Sequence, residues 1–367
     1  MNDMDTLQRI FRVFAEPFSS WESFAGAIKG MTWTVTSLES RTGWLYLISS
    51  AMVAYAVYWH GWRQGHLPRD KSFREIVFPA DVYFHPSAVA DYKFVLLDKV
   101  MRMVLYVPLF SAITYVLYKA MTRTLGPSPF QMSPSVAYWC MPLGLLVIMD
   151  FSFFVVHWLM HRVPLFWPFH EVHHSAEVLT PVTVYRIHPV EELITNSATT
   201  VITAAIAALF TSTTSVKVDP LSIFGVNAVT FGFFIFGFQL RHSHVWLSYG
   251  PVWSRLFISP AQHQVHHSVA EKHWNKNFGF MFACWDWVFG TLYIPHTREH
   301  IVFGCGTDPD EYATVSRLYF RPFVKSFSVL RSLFPRRLPH SAHTPVASSR
   351  PDAREPVGCA VDQHDAV

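Results

Sequence analysis

Eleven of the 20 histidines fall in two short windows, residues 157–188 and 242–267. Neutral imidazole is the usual nitrogen ligand for iron, zinc and copper, so clustering of this kind points to metal chemistry. His157 and His161 in HWLMH are four residues apart, which puts both rings on one face of a helix. His170, His173 and His174 in HEVHH, and His263, His266 and His267 in HQVHH, are two copies of HxxHH. Positions i, i+3 and i+4 share a helix face, and each triplet is expected to aim three nitrogens at a common centre. His188 in RIHPVEE stands before Pro189, a residue favoured at the first position of a helix, and His242 in RHSH follows an apolar run. These nitrogens outnumber the roughly four to six ligands that one ion takes, so two metals is the natural count. His244 and His273 are left undecided.

A lone histidine is more often a satisfied polar group than a ligand. Polar groups at the ends of membrane helices are costly without a partner, however, and a whole set converging from separate chain segments needs one. Asp150 lies seven residues before His157 on the same helix face, within an apolar stretch, and is expected to accept the free ring N–H of a ligand histidine. Glu191, Asn277 and Asp286 are lesser candidates for that supporting role. HEVHH also satisfies HExxH through His170, Glu171 and His174, the zinc-hydrolase pattern in which the glutamate is general base. That reading leaves His157, His161 and the second HxxHH unexplained. A non-catalytic metal or haem carrier is the other rival; haem would need one axial pair per group, not triplets. Cys140, Cys284, Cys305 and Cys359 are scattered without CxxC spacing, so a thiolate site is not expected.

The elements that must position these histidines are membrane helices. Apolar residues make up 51% of the 367, charged residues only 15%, and the mean hydropathy is +0.21, against about 25% charged in an ordinary soluble domain. The formal charge of +3, with no basic run, excludes a nucleic-acid binder. Apolar runs at 44–59, 103–118, 136–156, 193–212 and 221–240 predict an all-α integral membrane protein. About four to five helices are expected to span or partly insert, the first two runs being short against the roughly 20 residues of a full span. The third run ends at His157, the fourth begins after His188 and the fifth ends at His242, so these histidines emerge on one side. Only seven of the 29 Lys and Arg residues (Arg9, Arg12, Lys29, Arg41, Lys119, Arg123 and Lys217) fall opposite, which by the positive-inside rule turns the histidines to the cytoplasm. VPLFWPF, residues 163–169, reads as an interfacial bend.

The organisation predicted is an amphipathic, interfacial segment at 1–43, with LQRIFRVF on the membrane surface and no signal peptide. Membrane helices and a cytosolic loop follow at 44–135, a catalytic domain at 136–295, a C-terminal cytosolic segment at 296–338 and a disordered tail at 339–367.

The ordered series HWLMH, HEVHHS, RIHPVEE, RHSHV, HQVHHS, NKNFG and WDWVFGTLYIP resembles the fatty acid hydroxylase superfamily, which includes sterol desaturases, sphingolipid hydroxylases and alkylglycerol monooxygenase. The resemblance runs from about Val136 to Pro295. It implies a cytosolic, histidine-rich diiron centre that uses O2 to hydroxylate or desaturate a lipid C–H bond. Carried over to this chain, the ligands are His157, His161, His170, His173, His174, His188, His242, His263, His266 and His267. Hydrogen abstraction from an unactivated C–H bond needs a metal oxidant that no side chain supplies. No cytochrome b5 segment and no flavin or NAD fingerprint is present, so electrons are expected from a separate ferredoxin or cytochrome b5 with its reductase, drawing on NAD(P)H. The ending DQHDAV carries no dilysine or KDEL-type signal, which favours a bacterial inner membrane over the endoplasmic reticulum.

Overall fold

The computed structural model describes residues 19–23, 25–26, 44–65, 71–214, 232–305, 308 and 310–333. The surface-lying segment expected at 7–14, the first part of the fifth apolar run at 221–231 and the tail from 339 lie outside the described residues.

Among the described residues the regular elements are all helical, with one isolated β-bridge between Phe257 and Phe282. Helix α1 (Trp44–Arg63) is followed by short α2 (Phe73–Val77) and α3 (Ala80–Tyr83), then by α4 (Pro86–Met101), a π-helical turn (Arg102–Tyr106) and α5 (Val107–Leu125). Helix α6 (Pro134–Arg162) leads into α7 (Trp167–His174), and α8 (Pro189–Thr213) follows. The remaining helices are short α9 (Gly250–Trp253), α10 (Pro260–His266) and α11 (Cys284–Val288), then α12 (Val315–Leu333).

Three stretches among the described residues are long and apolar enough to cross a membrane: Pro86–Leu125, Pro134–Arg162 and Pro189–Thr213. The fifth expected run, 221–240, lies largely outside the described residues. Helix α1 has the length, but its Trp44, Tyr46, Tyr55, Tyr58, Trp59 and Trp62 suit the bilayer interface better than its centre. The second apolar run is part of a continuous 40-residue helical stretch rather than a short insertion. At about 1.5 Å per residue, the 29 residues of α6 outrun a hydrocarbon core of roughly 30 Å. The surplus carries its C-terminal histidines beyond the lipid.

Connections fix which ends lie together. The Ser128 and Met132 N–H groups donate to the Ser212 and Thr213 carbonyls, so the α5–α6 link meets the C-terminal end of α8. The opposite ends hold the histidines and a cluster of buried charge. Arg186, 1% exposed, donates from its guanidinium to Asp91 at 2.7 Å, to the Ser175 hydroxyl at 2.7 Å and to the Val172 carbonyl at 2.8 Å. Arg102, in the π-helical turn, pairs with Asp98 at 2.7 Å and with Glu192 at 2.5 Å, tying α4 to the first turn of α8. Residues 163–169 make the expected bend: α6 stops at its C-cap Val163, and Pro168 sits in the first turn of α7, where a missing N–H costs nothing.

Breaking a buried pair leaves an uncompensated charge, typically costing about 3–5 kcal/mol. Asp91→Ala is expected to lower the thermal unfolding midpoint of detergent-solubilised protein far more than the exposed Glu271→Ala. Equal midpoints would show that the Asp91–Arg186 pair is not a fixing point of this end of the fold.

Candidate metal centre

The structure sorts nine histidines into two groups. Ligand atoms of His157, His161, His170, His174 and His266 all lie within 4.8 Å of one another, and so do those of His173, His242, His263 and His267. The first group takes two rings from α6, two from α7 and one from α10. The second takes one from α7, one from the 3-10 turn Phe238–His242, one from α10 and the C-cap residue of that helix.

Each HxxHH triplet is therefore divided, not aimed at one centre as expected. At about 100° per residue, positions i and i+4 lie some 40° apart while i+3 is offset by about 100° from i+4. In α7 the i, i+4 pair His170 and His174 joins the first group and His173 the second; in α10 His263 and His267 join the second group and His266 the first. Both helices bridge both groups. Across the boundary the His174 and His267 rings stack with centroids 4.5 Å apart.

Hydrogen bonds behind the rings set their tautomers. The His157 ring donates from Nδ1 to the Phe278 carbonyl at 2.8 Å, His266 to the Lys276 carbonyl at 2.7 Å, His173 to the Arg186 carbonyl at 3.3 Å and His170 to the Glu191 carboxylate at 2.9 Å. A neutral ring with its proton on Nδ1 has a bare lone pair on Nε2. Yet His157 and His170 face each other Nε2 to Nε2 at 3.1 Å, and the buried Nε2 atoms of His161 and His266 have no hydrogen-bond partner. In the second group the Nε2 atoms of His173 and His242 are 3.2 Å apart, and those of His242 and His263 3.0 Å. The His157 and His170 lone pairs repel one another at this distance unless a cation lies between them, and the buried imidazole nitrogens of the second group converge as closely, so the residues present fit a metal ion in each group. Burial, reinforced by the neighbouring rings, holds His173, His174, His263 and His267 well below the ordinary histidine range, and burial, with the His170 ring nearby, brings His266 to about 3. All five are neutral donors at physiological pH.

His188 stands apart from both groups. Its Nδ1 accepts the Val190 N–H at 3.1 Å as the N-cap of α8, and its Nε2–H donates to the Tyr319 carbonyl at 3.0 Å, which leaves no lone pair for a metal. Asp150 also differs from expectation. It accepts the Met281 and Phe282 N–H groups at 2.7 and 3.1 Å and the Trp285 indole at 2.9 Å, and it contacts no histidine because its position on α6 lies about 10 Å below His157. Asp286 accepts the Phe278 and Gly279 N–H groups, both at 2.8 Å, and the Thr291 hydroxyl at 2.6 Å. Asn277, at φ 59°, donates to the Gln262 and Tyr293 carbonyls and accepts from the Tyr293 N–H. These three residues lock the loop that presents the Phe278 carbonyl to His157. A Cβ on Gly279 would lie 2.5 Å from the Phe282 carbonyl oxygen, so the loop closes only around a glycine. Glu191 alone of the four touches a ring directly.

Sequence reasoning missed Arg186, whose carbonyl orients His173, and the clamp on Glu171. That carboxylate takes Lys325 at 2.7 and 2.8 Å and the Tyr312 hydroxyl at 2.9 Å. The available signal was Arg186, the one basic side chain apart from histidine between Arg162 and Lys217; Lys325, among the arginines of its own segment, offered none. His244 donates to the Ile76 carbonyl and His273 faces Glu299, so neither joins a group.

Two cavities reach the histidines. One of about 440 Å³ is walled by Phe153, Val156, Phe234, Phe238 and Phe280 and touches His157, His170, His173, His242 and His263. Another of about 540 Å³, between Trp167 and Trp274, touches His161, His174, His266 and His267.

Residues 142–291 match the fatty acid hydroxylase family. The chain is similar to alkylglycerol monooxygenase of Caenorhabditis elegans, at 27% identity over 46% of this chain and 30% of that protein. It is similar to ornithine lipid hydroxylase OlsE of Rhizobium tropici, at 29% identity over 41% of each chain, and to human alkylglycerol monooxygenase, at 26% over 42% of this chain and 31% of the human one. The chain spans less than half the length of the curated relatives it matches. No solved structure matches it.

Removing a residue that orients a ligand usually weakens metal affinity about 10–100-fold. Glu191→Gln is expected to do so for the group containing His170, read by chelator competition, with little change in secondary structure. His173→Ala is expected to lose metal from one group and keep it in the other. Unchanged metal content in both variants would refute the geometric grouping.

Proposed function

We propose that this protein is a membrane-bound oxygenase that holds two iron ions and uses O2 to hydroxylate or desaturate a lipid C–H bond. The observation that carries the reading is the pair of adjoining, all-imidazole groups, in which His157, His170, His173 and His266 have their Nδ1 protons engaged behind the ring and their Nε2 lone pairs turned inward. Iron bound there supplies the oxidising power that side chains lack. Its proposed ligands are His157, His161, His170, His174 and His266 in one group and His173, His242, His263 and His267 in the other. The carbonyls of Phe278, Arg186 and Lys276 and the Glu191 carboxylate keep the ring protons on the far side, so the donor atoms need no rearrangement to receive a cation.

The cavity walled by Phe153, Val156, Phe234, Phe238 and Phe280, with Arg102, Glu192 and Arg241 also in its lining, is suited to an apolar chain that carries a polar group. A lipid substrate is supported by the relatives, whose names specify alkylglycerol and ornithine lipid. In hydroxylation one atom of O2 enters the C–H bond and the other leaves as water, which requires two electrons and two protons from outside. A separate ferredoxin or cytochrome b5 with its reductase, fed by NAD(P)H, meets that need, and the histidine end of the molecule then faces the cytoplasm, in a bacterial inner membrane by preference. Residues 136–295 are the proposed catalytic unit, with 44–135 and 296–338 as the segments that flank it in sequence.

A zinc hydrolase with Glu171 as general base fits less well, because Lys325 and Tyr312 already hold that carboxylate. Haem is disfavoured by rings interleaved at centroid separations of 4.5–5.2 Å, which leave no slot for a macrocycle.

Protein expressed with added iron is expected to contain two irons per chain with a nonhaem Mössbauer signature, and to transfer 18O from 18O2 into a lipid when given a reductant. His263→Ala is expected to abolish turnover, whereas Glu171→Gln retains it at reduced stability. One zinc per chain, retained in His263→Ala, together with activity lost in Glu171→Gln, would replace this reading with the hydrolase.

A further inference from the structure

Helix α12 presents an apolar face that is left largely uncovered among the described residues. Phe320, Phe323, Val324, Phe327 and Leu330 are between 39% and 69% exposed. At 100° per residue they fall within an arc of about 120°. The opposite side, with Leu318, Pro322 and Ser326 buried, is the one that packs on the fold. The helix contains Arg317, Arg321, Lys325 and Arg331 and no acidic residue. The Arg331 guanidinium lies 4.4 Å from the centre of the Phe327 ring, at the border of the apolar arc.

Contacts place this helix where the spanning segments leave the bilayer. The Tyr319 carbonyl accepts from His188, the cap residue of α8, and the Tyr319 ring stacks on Phe94 of α4 at 4.8 Å. The Tyr319 hydroxyl reaches the sulfur of Met101, next to the π-helical turn, and Phe323 packs edge-on against Phe169 and His188. Leu97, between Phe94 and Met101 on α4, and Leu193, in the second turn of α8, are exposed near these contacts in sequence. The uncovered face thus lies at the end of the molecule where α8 begins.

We propose that α12 lies in the plane of the membrane interface, its phenylalanine face buried among acyl chains and Arg331 against anionic headgroups. An amphipathic helix with aromatic residues on one face and arginines flanking it has the makeup for that position. Its acidic neighbours are inside: Glu171 and Glu311 take Lys325, and Glu311 takes Arg321, while the Arg317 guanidinium meets the Asp310 carbonyl. Arg331 is left at the lipid border. The same helix clamps the HEVHH helix α7 through Lys325 and Glu171, so the surface anchor and the histidine groups are mechanically joined whatever reaction the centre performs.

The test is photocrosslinking of the full-length protein in nanodiscs of equimolar phosphatidylglycerol and phosphatidylcholine with identical chains. p-Benzoylphenylalanine replaces Phe320 or Phe327, and in parallel Ser328 or Ser332 on the arginine side, and adducts are identified by mass spectrometry. Phe320 and Phe327 positions are expected to yield lipid adducts severalfold above the two serine positions, with phosphatidylglycerol in excess over phosphatidylcholine. That excess is expected to fall in Arg331→Gln. Equal lipid adducts at all four positions, no lipid adducts, or chain-to-chain crosslinks from Phe320 and Phe327 in their place would overturn the proposal, the last by making the face an interface between copies. Equal labelling of the two lipids would overturn the anionic-headgroup part. Unchanged gel-filtration behaviour identifies variants that have folded.

Discussion

Lone pairs that face lone pairs are the constraint on which this molecule turns. Nine imidazoles converge in a space from which water is largely excluded, and four of them have their Nδ1 proton committed to a carbonyl or carboxylate behind the ring. In the metal-free protein such an arrangement has no favourable term of its own. It exists because the backbone around it is fixed by other means, and because a cation turns the repulsion into coordination. The loop from Asn277 to Thr291, the Arg186 carbonyl and the first turn of α8 all follow from the need to hold a proton on the outer nitrogen of a particular ring.

Buried charge does much of that fixing. Asp91 with Arg186, Asp98 and Glu192 with Arg102, and Glu171 with Lys325 each join segments distant in sequence near the level of the histidines. Such pairs add little net stability compared with apolar packing of the same volume. What they supply is registry, since one guanidinium satisfied by a carboxylate, a hydroxyl and a carbonyl permits only one arrangement of the helices that carry them. The π-helical turn at Arg102 belongs to this scheme: it marks the junction between the buried, charged part of a continuous helix and the apolar part that crosses the membrane.

Much of this was legible in the residues. The HWLMH and HxxHH spacings, the apolar runs and the proline-marked bend predicted helices that deliver histidines to one end of the molecule. What spacing could not supply was direction. Residues i+3 and i+4 share a broad face, yet they diverge enough to serve two centres when a second helix lies across the first, and a single sequence does not say where that helix lies. Asp150 misled for a related reason: sharing a helix face with His157 says nothing about the loop that inserts between them. His188 carried the composition of a ligand, but the Val190 N–H that follows Pro189 engaged its lone pair, a local competition that capping rules describe and motif matching does not. Glu191 was readable because it lies one turn inside the helix that begins at His188, within reach of α7.

The choice of donor has a chemical consequence for the protein's working life. Neither histidine group contains a cysteine, so a centre exposed to oxidants has no ligand sulfur to lose to sulfenic acid or disulfide formation. Cys305 lines the cavity beside His161 and His174, but burial, with the nearby Glu171 carboxylate, pushes its thiol up and keeps it protonated. A protonated thiol is a poor nucleophile and oxidises slowly. Wear in this protein should therefore fall on the exposed tryptophans and methionines of the outer surface before it reaches the groups that hold the metal.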